Sequence, residues 1–133
     1  MSPQNVEIVR EAVEAWNQRD PDLWLQYAAP DIEWRPAGPA AVERSVYREH
    51  DEVAGGLRSV GQTWEEFRFQ EADVRDLGGS VLWLGRVRMK GAASHVQLDQ
   101  EFAISAAVGD GKVVTLQAFL DWGDALAAVG LRE

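Results

Sequence analysis

The sequence predicts an α+β fold: helices in the first half, an antiparallel meander in the second, and a short helix closing the chain. Three observations predict it. Apolar residues recur at helical spacing behind capping residues as far as about Ser59. Four long strand candidates then follow one another, separated by glycine-bearing turns. Asp121 and Gly130 bracket a last apolar stretch as a helix start and stop do.

Taken in order, Ser2-Pro3 starts the first helix, with serine as cap and proline in the first turn. Val6, Val9, Val13 and Trp16 then repeat at helical spacing, flanked by Ile8, Ala12 and Ala15. Asp20-Pro21 opens a second, short helix with Leu23 and Tyr27 on one face. Asp31 to Arg35 is a short strand stopped by Pro36, and residues 36–41 are too rich in Pro and Gly for regular structure. Val42 to Val46 reads as a second short strand. Arg48 to about Ser59 forms the third helix, where each glycine of the pair Gly55-Gly56 costs about 1 kcal/mol. Close packing against that helix is the reason to keep them.

Trp64 to Asp76, Ser80 to Lys90, His95 to Val108 and Lys112 to Leu120 are the four long strands. Gly78-Gly79, Gly91 and Asp110-Gly111 stand where hairpins turn, because glycine accepts the positive φ of a tight turn. A strongly curved sheet wrapped against three helices leaves one open mouth. No repeat, linker or low-complexity tract divides the chain, so 1–133 reads as a single domain, long enough for one core.

Composition excludes several function classes. A net charge of -9 disfavours nucleic acid and anionic membrane, which need a basic face. Without cysteine there is no disulfide frame, thiol nucleophile or thiolate-bound metal. No apolar run approaches the roughly 20 residues of a membrane span. The first residues lack a basic stretch followed by an apolar one, so no secretory signal is read and a cytoplasmic location is the default. Eleven Arg against two Lys point to a GC-rich bacterial genome.

Six stretches, in this order, carry a resemblance to a family. They are Ala15-Trp-Asn-Gln-Arg-Asp20, Pro30-Asp-Ile-Glu-Trp34, Tyr47-Arg-Glu-His-Asp51, Val81-Leu-Trp-Leu-Gly-Arg86, Asp110-Gly-Lys-Val-Val114 and Asp121 with Ala125-Leu-Ala-Ala-Val-Gly-Leu131. Over essentially its whole length the chain resembles the SnoaL-like, nuclear transport factor 2-like domains. The resemblance implies three N-terminal helices on a curved antiparallel sheet forming a cone, a mostly apolar internal pocket, and a homodimer packed through the sheet. The family includes ketosteroid isomerases, polyketide cyclases, limonene epoxide hydrolases, dehydratases and non-catalytic binding domains, so the fold alone selects no reaction.

Position by position, the familiar chemistries lose their groups. An isomerase of this family needs a carboxylate base, a tyrosine and a protonated aspartate. Tyr27 matches a supporting tyrosine, but the base falls on Arg35, which accepts no proton at neutral pH. The oxyanion tyrosine falls on Ala12, and the protonated aspartate on Ile104 or, with another gap, Ala103. The epoxide hydrolase relay keeps its arginine at Arg86, while its two aspartates become Arg88 and Ala118. Ala118 also replaces the acid of the cyclases.

The polar residues that remain are Tyr27, Arg35, Tyr47, His50, Arg86, Arg88, His95, Gln97, Asp99, Gln100 and Glu101. On the third long strand, Val96, Leu98, Gln100, Phe102 and Ile104 share one face by alternation, so Gln100 is expected in the pocket. On the second, Leu82, Leu84, Arg86 and Arg88 share one face and Trp83, Val87 and Met89 the other. Large apolar groups on both faces suggest that a second subunit buries the convex side. His50, beside Glu49 and Asp51, reads as a surface or capping residue. Two distant histidines in no ligand spacing give no metal site.

The expectation is therefore a homodimeric domain binding a small, largely apolar molecule, with no cofactor, lined by Tyr27, Trp34, Arg35, Trp64, Leu84, Arg86, Gln100 and Ala118. The alternative is an isomerase, hydrolase or dehydratase on a cyclic hydrophobic substrate, using relocated groups from Tyr27, Glu33, Arg86 and His95. A third reading, a protein-interaction module, requires a cone filled by its own side chains.

Overall fold

The structure is a computed structural model that describes residues 3–37 and 44–131. Its elements are α1 (Pro3–Asn17), α2 (Pro21–Leu25), β1 (Ala28–Arg35), β2 (Tyr47–Arg48), α3 (Glu49–Thr63), β3 (Trp64–Asp76), β4 (Ser80–Gly91), β5 (Gln97–Gly109), β6 (Lys112–Phe119) and α4 (Trp122–Ala128). The six strands form one curled, unclosed sheet in the order β2-β1-β6-β5-β4-β3. It is the nuclear transport factor 2-like cone. The sheet is antiparallel except where the last strand pairs in parallel with the first, Trp34 beside Leu116 and Arg35 beside Gln117.

Most starts and stops follow the local signals. Asp20 accepts a hydrogen bond from Leu23 N at 3.1 Å, and Asp121 accepts one from Asp124 N at 3.0 Å. Asp110 (φ 52) and Gly111 (φ 76) both take positive φ, as a two-residue hairpin loop of this hand requires.

Several boundaries differ. α2 ends at Leu25, which leaves Tyr27 in the following turn rather than on the helix face. β1 begins at Ala28, three residues early, because its pairing with β6 resumes there across an irregularity between Ala28 and Glu33 that accommodates Pro30. Of the expected strand Val42 to Val46, residues 42–43 lie outside the described residues, as do residues 38–41 of the loop; pairing with β1 starts at Tyr47. Arg48 is extended and caps α3, its N–H donating to Glu52 Oε1 at 2.8 Å. That bond holds the Glu52 carboxyl below its ordinary value. His95 belongs to the turn, with φ 58 and its N–H on Gly91 O, so β5 starts at Gln97.

The core lies between the concave sheet face and α1, α2 and α3. Trp16, Trp24, Ile32, Trp34, Val53, Phe69, Trp83, Phe102 and Ile104 are buried there. The end of α1 is stitched to β3: Asn17 Nδ2 donates to Phe69 O at 3.1 Å, and Phe69 N donates to Asn17 Oδ1 at 2.7 Å. β3 is the outermost strand, so this pair satisfies backbone groups that an edge leaves open. A second cluster of Leu82, Leu84, Ala103, Ala125 and Leu126 sits on the convex face under α4. The apolar convex residues of β4 are thus covered by the chain's own last helix rather than requiring a second subunit.

Gly85 is needed where these layers meet. A Cβ there would lie 2.2 Å from Gln70 O and 2.4 Å from the Trp83 ring. Its carbonyl accepts the Trp122 indole N–H at 2.9 Å, which docks α4. No helix among the described residues is long and apolar enough to cross a membrane.

The paired glycines of α3 separate cleanly. A Cβ on Gly56 would meet the Trp34 ring at 2.7 Å and the Tyr47 ring at 2.8 Å, whereas one on Gly55 meets nothing within 4 Å. Gly55→Ala is expected to raise stability by about 0.5–1 kcal/mol through helix propensity. Gly56→Ala is expected to lower it by about 1–3 kcal/mol through overpacking. Urea midpoints at unchanged m-value measure both, and effects of the same sign would contradict this packing.

Candidate functional site

Two cavities open on the concave side. An inner chamber of about 50 Å³ is bounded by Trp16, Trp34, Trp64, Phe67, Met89 and Phe102, with Gln100 as its polar side chain and Ala118 in its floor. An outer cleft of about 360 Å³ lies between α1, α2 and α3 and is lined by Trp16, Trp24, Leu57 and Phe67, with Arg19, Asp20 and Arg58. Trp16, Val60 and Phe67 belong to both walls, so the cavities are neighbours through these side chains. The cleft falls within the roughly 300–1,000 Å³ of ligand pockets. The chamber is far smaller.

Local structure explains the lining. Alternation along β1 turns Ile32 and Trp34 inward, and Trp34 stacks on Tyr47 at 4.8 Å and 28°. Trp34 Nε1 is buried and has no hydrogen-bond partner among the described residues. Trp16 packs against Trp34 at 5.5 Å edge-on, Phe69 at 5.2 Å and Trp24 at 6.1 Å. Arg19, at φ 56 just past α1, donates from Nη2 to Trp64 O at 2.7 Å and closes one side of the cleft.

Of the expected lining, Trp34, Trp64, Gln100 and Ala118 do border the chamber. Four others do not. Leu84 is on the convex face under α4, because the register Trp83↔Ile104 and Val87↔Gln100 puts the other set of β4 inside. Arg86 shares that outer face and donates to Asp99 Oδ1 at 2.8 Å. Arg35 is exposed one residue past Trp34, on the opposite face of β1. Tyr27 packs half-buried at the margin of the core, in the turn before β1.

The proposed relocated acid–base groups are also outside. Glu33 lies on the outer face and pairs with Arg48 at 3.1 Å. His95 is exposed on the turn before β5, its Nδ1 3.7 Å from Glu65. His50, expected as a surface or capping residue, is half-buried, with Nε2 3.1 Å from Ala28 O of β1. Of the positions compared with catalytic groups above, Ala12 and Ile104 are buried in the apolar core, Ala103 under α4, and Arg88 is exposed 3.6 Å from Asp99. No three His, Asp or Glu side chains converge as a metal site would require, among the described residues.

Trp16, Phe67, Met89 and Phe102 read in sequence as ordinary core, which they also are. Arg19 and Arg58 went unmarked because neither stands in a motif. Arg58 had one signal: it follows Leu57 and precedes Val60 by two residues, at the edge of the apolar stripe of α3.

The SnoaL-like domain family profile matches residues 9–119. The chain belongs to the SnoaL-like domain family. Solved structures of the same fold cover nearly all of it. A nuclear transport factor 2-like protein of unknown function from Burkholderia pseudomallei is 24% identical, covers 98% of this chain and 99% of its own, and superposes with a TM-score of 0.80. Another, from Burkholderia thailandensis, is 27% identical over 91% of this chain and 92% of its own, with a TM-score of 0.79. TerC, co-crystallised with polyporic acid, is 19% identical over 90% and 92%, with a TM-score of 0.77. No curated protein matches the sequence.

In this SnoaL-like domain the convex ion pair has a pH signature. The Arg86 hydrogen bond, with the charges of Arg86 and Arg88, holds the Asp99 carboxyl below its ordinary value. A depressed native value means that the unfolded chain takes up the proton first. The stabilisation is therefore complete above about pH 4 and fades as pH falls through the native value. Asp99→Asn should cost a little stability at pH 7 and nothing near pH 2, compared by denaturation midpoints. A difference that persists undiminished in acid would rule out the ionic contribution.

Proposed function

We propose that this domain binds a small, largely apolar molecule in the cleft, with its inner end against the chamber, and does so without the acid–base residues of the isomerases, cyclases or epoxide hydrolases. The family is associated with small-molecule binding and with cyclase or isomerase activity. The observation that carries the reading is the lining itself. Trp16, Trp34, Trp64, Phe67 and Phe102 gather around the chamber with Gln100 as the polar side chain, and no titratable side chain borders it among the described residues. An aromatic wall stabilises an apolar body by burial and ring contacts, and general acid–base chemistry has no group to act with there.

Other features agree. The Trp34 indole N–H is a donor that the fold leaves without a partner among the described residues. A carbonyl on the ligand would satisfy it. TerC, of the same fold, was co-crystallised with an organic molecule, polyporic acid. Glu33 and His95, on which relocated catalysis would depend, touch neither cavity.

Homodimerisation through the sheet is the second part of the proposal. The open convex face carries Arg68, Arg86, Arg88 and Asp99, so such a dimer would meet through charged side chains rather than apolar ones.

The six tryptophans supply the test. Titrating neutral naphthalene-2-carboxamide should shift the indole N–H resonances of Trp16, Trp24, Trp34 and Trp64, which line the cavities. That of Trp122, bonded to Gly85 on the other face, should stay in place. Gly61 lines the cleft and has open space at its Cβ, so Gly61→Trp should fill the site and weaken binding about tenfold or more. Resonances unmoved at millimolar probe, or moved equally by the filled variant, would defeat the reading. Light scattering that returns 14.8 kDa at micromolar concentration would refute the dimer.

A further inference from the structure

The cleft carries a charge opposite to that of the protein. Acidic residues outnumber basic ones 22 to 13, and most arginines have found a carboxylate. Arg10 pairs with Glu71, Arg44 with Glu52, Arg48 with Glu33, Arg75 with Asp73, and Arg86 with Asp99. Arg58 has no such pair among the described residues, although it lines the cleft. Arg35 and Arg68 also lack one, but they stand on the open outer face of the sheet.

The second cation of the cleft is held in place. Arg19 Nη2 donates to Trp64 O at 2.7 Å, fixing the guanidinium while most of its five N–H donors stay available. Asp20 is the acidic residue of the lining, and its Oδ1 is occupied as the cap of α2, accepting from Leu23 N at 3.1 Å. Two guanidinium groups thus stand at the mouth of a cavity floored by Trp16, Trp24, Leu57 and Phe67. Guanidinium recognises carboxylate by paired, charge-assisted hydrogen bonds, and an aromatic floor recognises a ring.

We propose that the ligand of this cleft is a small organic anion: a cyclic apolar body lying on Trp16, Trp24 and Phe67, with its carboxylate held by Arg58 and Arg19. The inference rests on the cleft being the ligand site and adds the chemical class of what enters it. It also assigns the anion to residues on α3 and at the end of α1, not to Arg35 or Arg86.

Calorimetric titration with two probes of the same ring, naphthalene-2-carboxylate and naphthalene-2-carboxamide, separates these claims. The carboxylate should bind about tenfold more tightly at low salt, as a charge-assisted contact at a half-open site provides. The preference should shrink as salt screens the pair. Arg58→Gln should bring the two affinities within about twofold, and Arg58→Lys should restore part of the difference. Equal affinities in the unaltered protein, or a preference that survives Arg58→Gln intact, overturn the proposal while leaving the cleft a ligand site. If neither probe binds, the ligand-site reading fails along with it.

Discussion

Trp16 is the side chain on which the arrangement turns. It projects from the last turn of α1 and touches Trp24 of α2, Trp34 of β1, and Phe67 and Phe69 of β3. Four elements distant in sequence therefore take their spacing from one indole ring. One residue further on, Asn17 ties α1 to the β3 backbone by two hydrogen bonds. The helix is thereby fixed in both depth and direction, and the cleft and chamber are the spaces left on either side of Trp16. Because the same ring holds the core and forms the cavity wall, stability and ligand shape are not independent here: truncating it would enlarge the site and cost about 3–5 kcal/mol at once.

The sheet separates two kinds of chemistry. Its concave face is aromatic and aliphatic and meets the three helices. Its convex face is charged, except where α4 covers Leu82, Leu84 and Ala103. Gly85 and Trp122 join the two sides: the glycine allows β3 and the Trp83 ring to come close, and its carbonyl receives the indole of α4. A catalytic constellation would need titratable groups to cross to the concave side. At the positions where relatives place them, this chain has Ala12, Ile104 and Ala118. Ala12 and Ile104 are instead packed in the apolar core, and Ala118 borders the chamber.

Much of the fold was legible in the sequence because its signals are local. Asp20-Pro21, Asp110-Gly111 and Asp121 each specify a cap or a turn through their own side chain or backbone. Gln100 borders the chamber, on the face that alternation along β5 gives it, because only one face of that strand is apolar near it. The site was less legible. On β4, leucines on one face and Trp83, Val87 and Met89 on the other gave alternation no direction, and Leu84 and Arg86 came out on the side opposite to the one expected. On β1 the alternation is clear, and Arg35, next to the inward Trp34, must face outward.

What the sequence determined by itself is the order of the elements, most of their caps and turns, and the family. All of these depend on residue identity or on spacings shorter than a helix. What only the tertiary structure decided is which face of each strand looks inward, and that Arg19 and Arg58 meet at one cleft. Those outcomes depend on pairings between segments about 40 residues or more apart, such as Arg19 with the Trp64 carbonyl and Leu84 with α4. Local pattern cannot supply them, because the cover that makes a face interior belongs to another part of the chain.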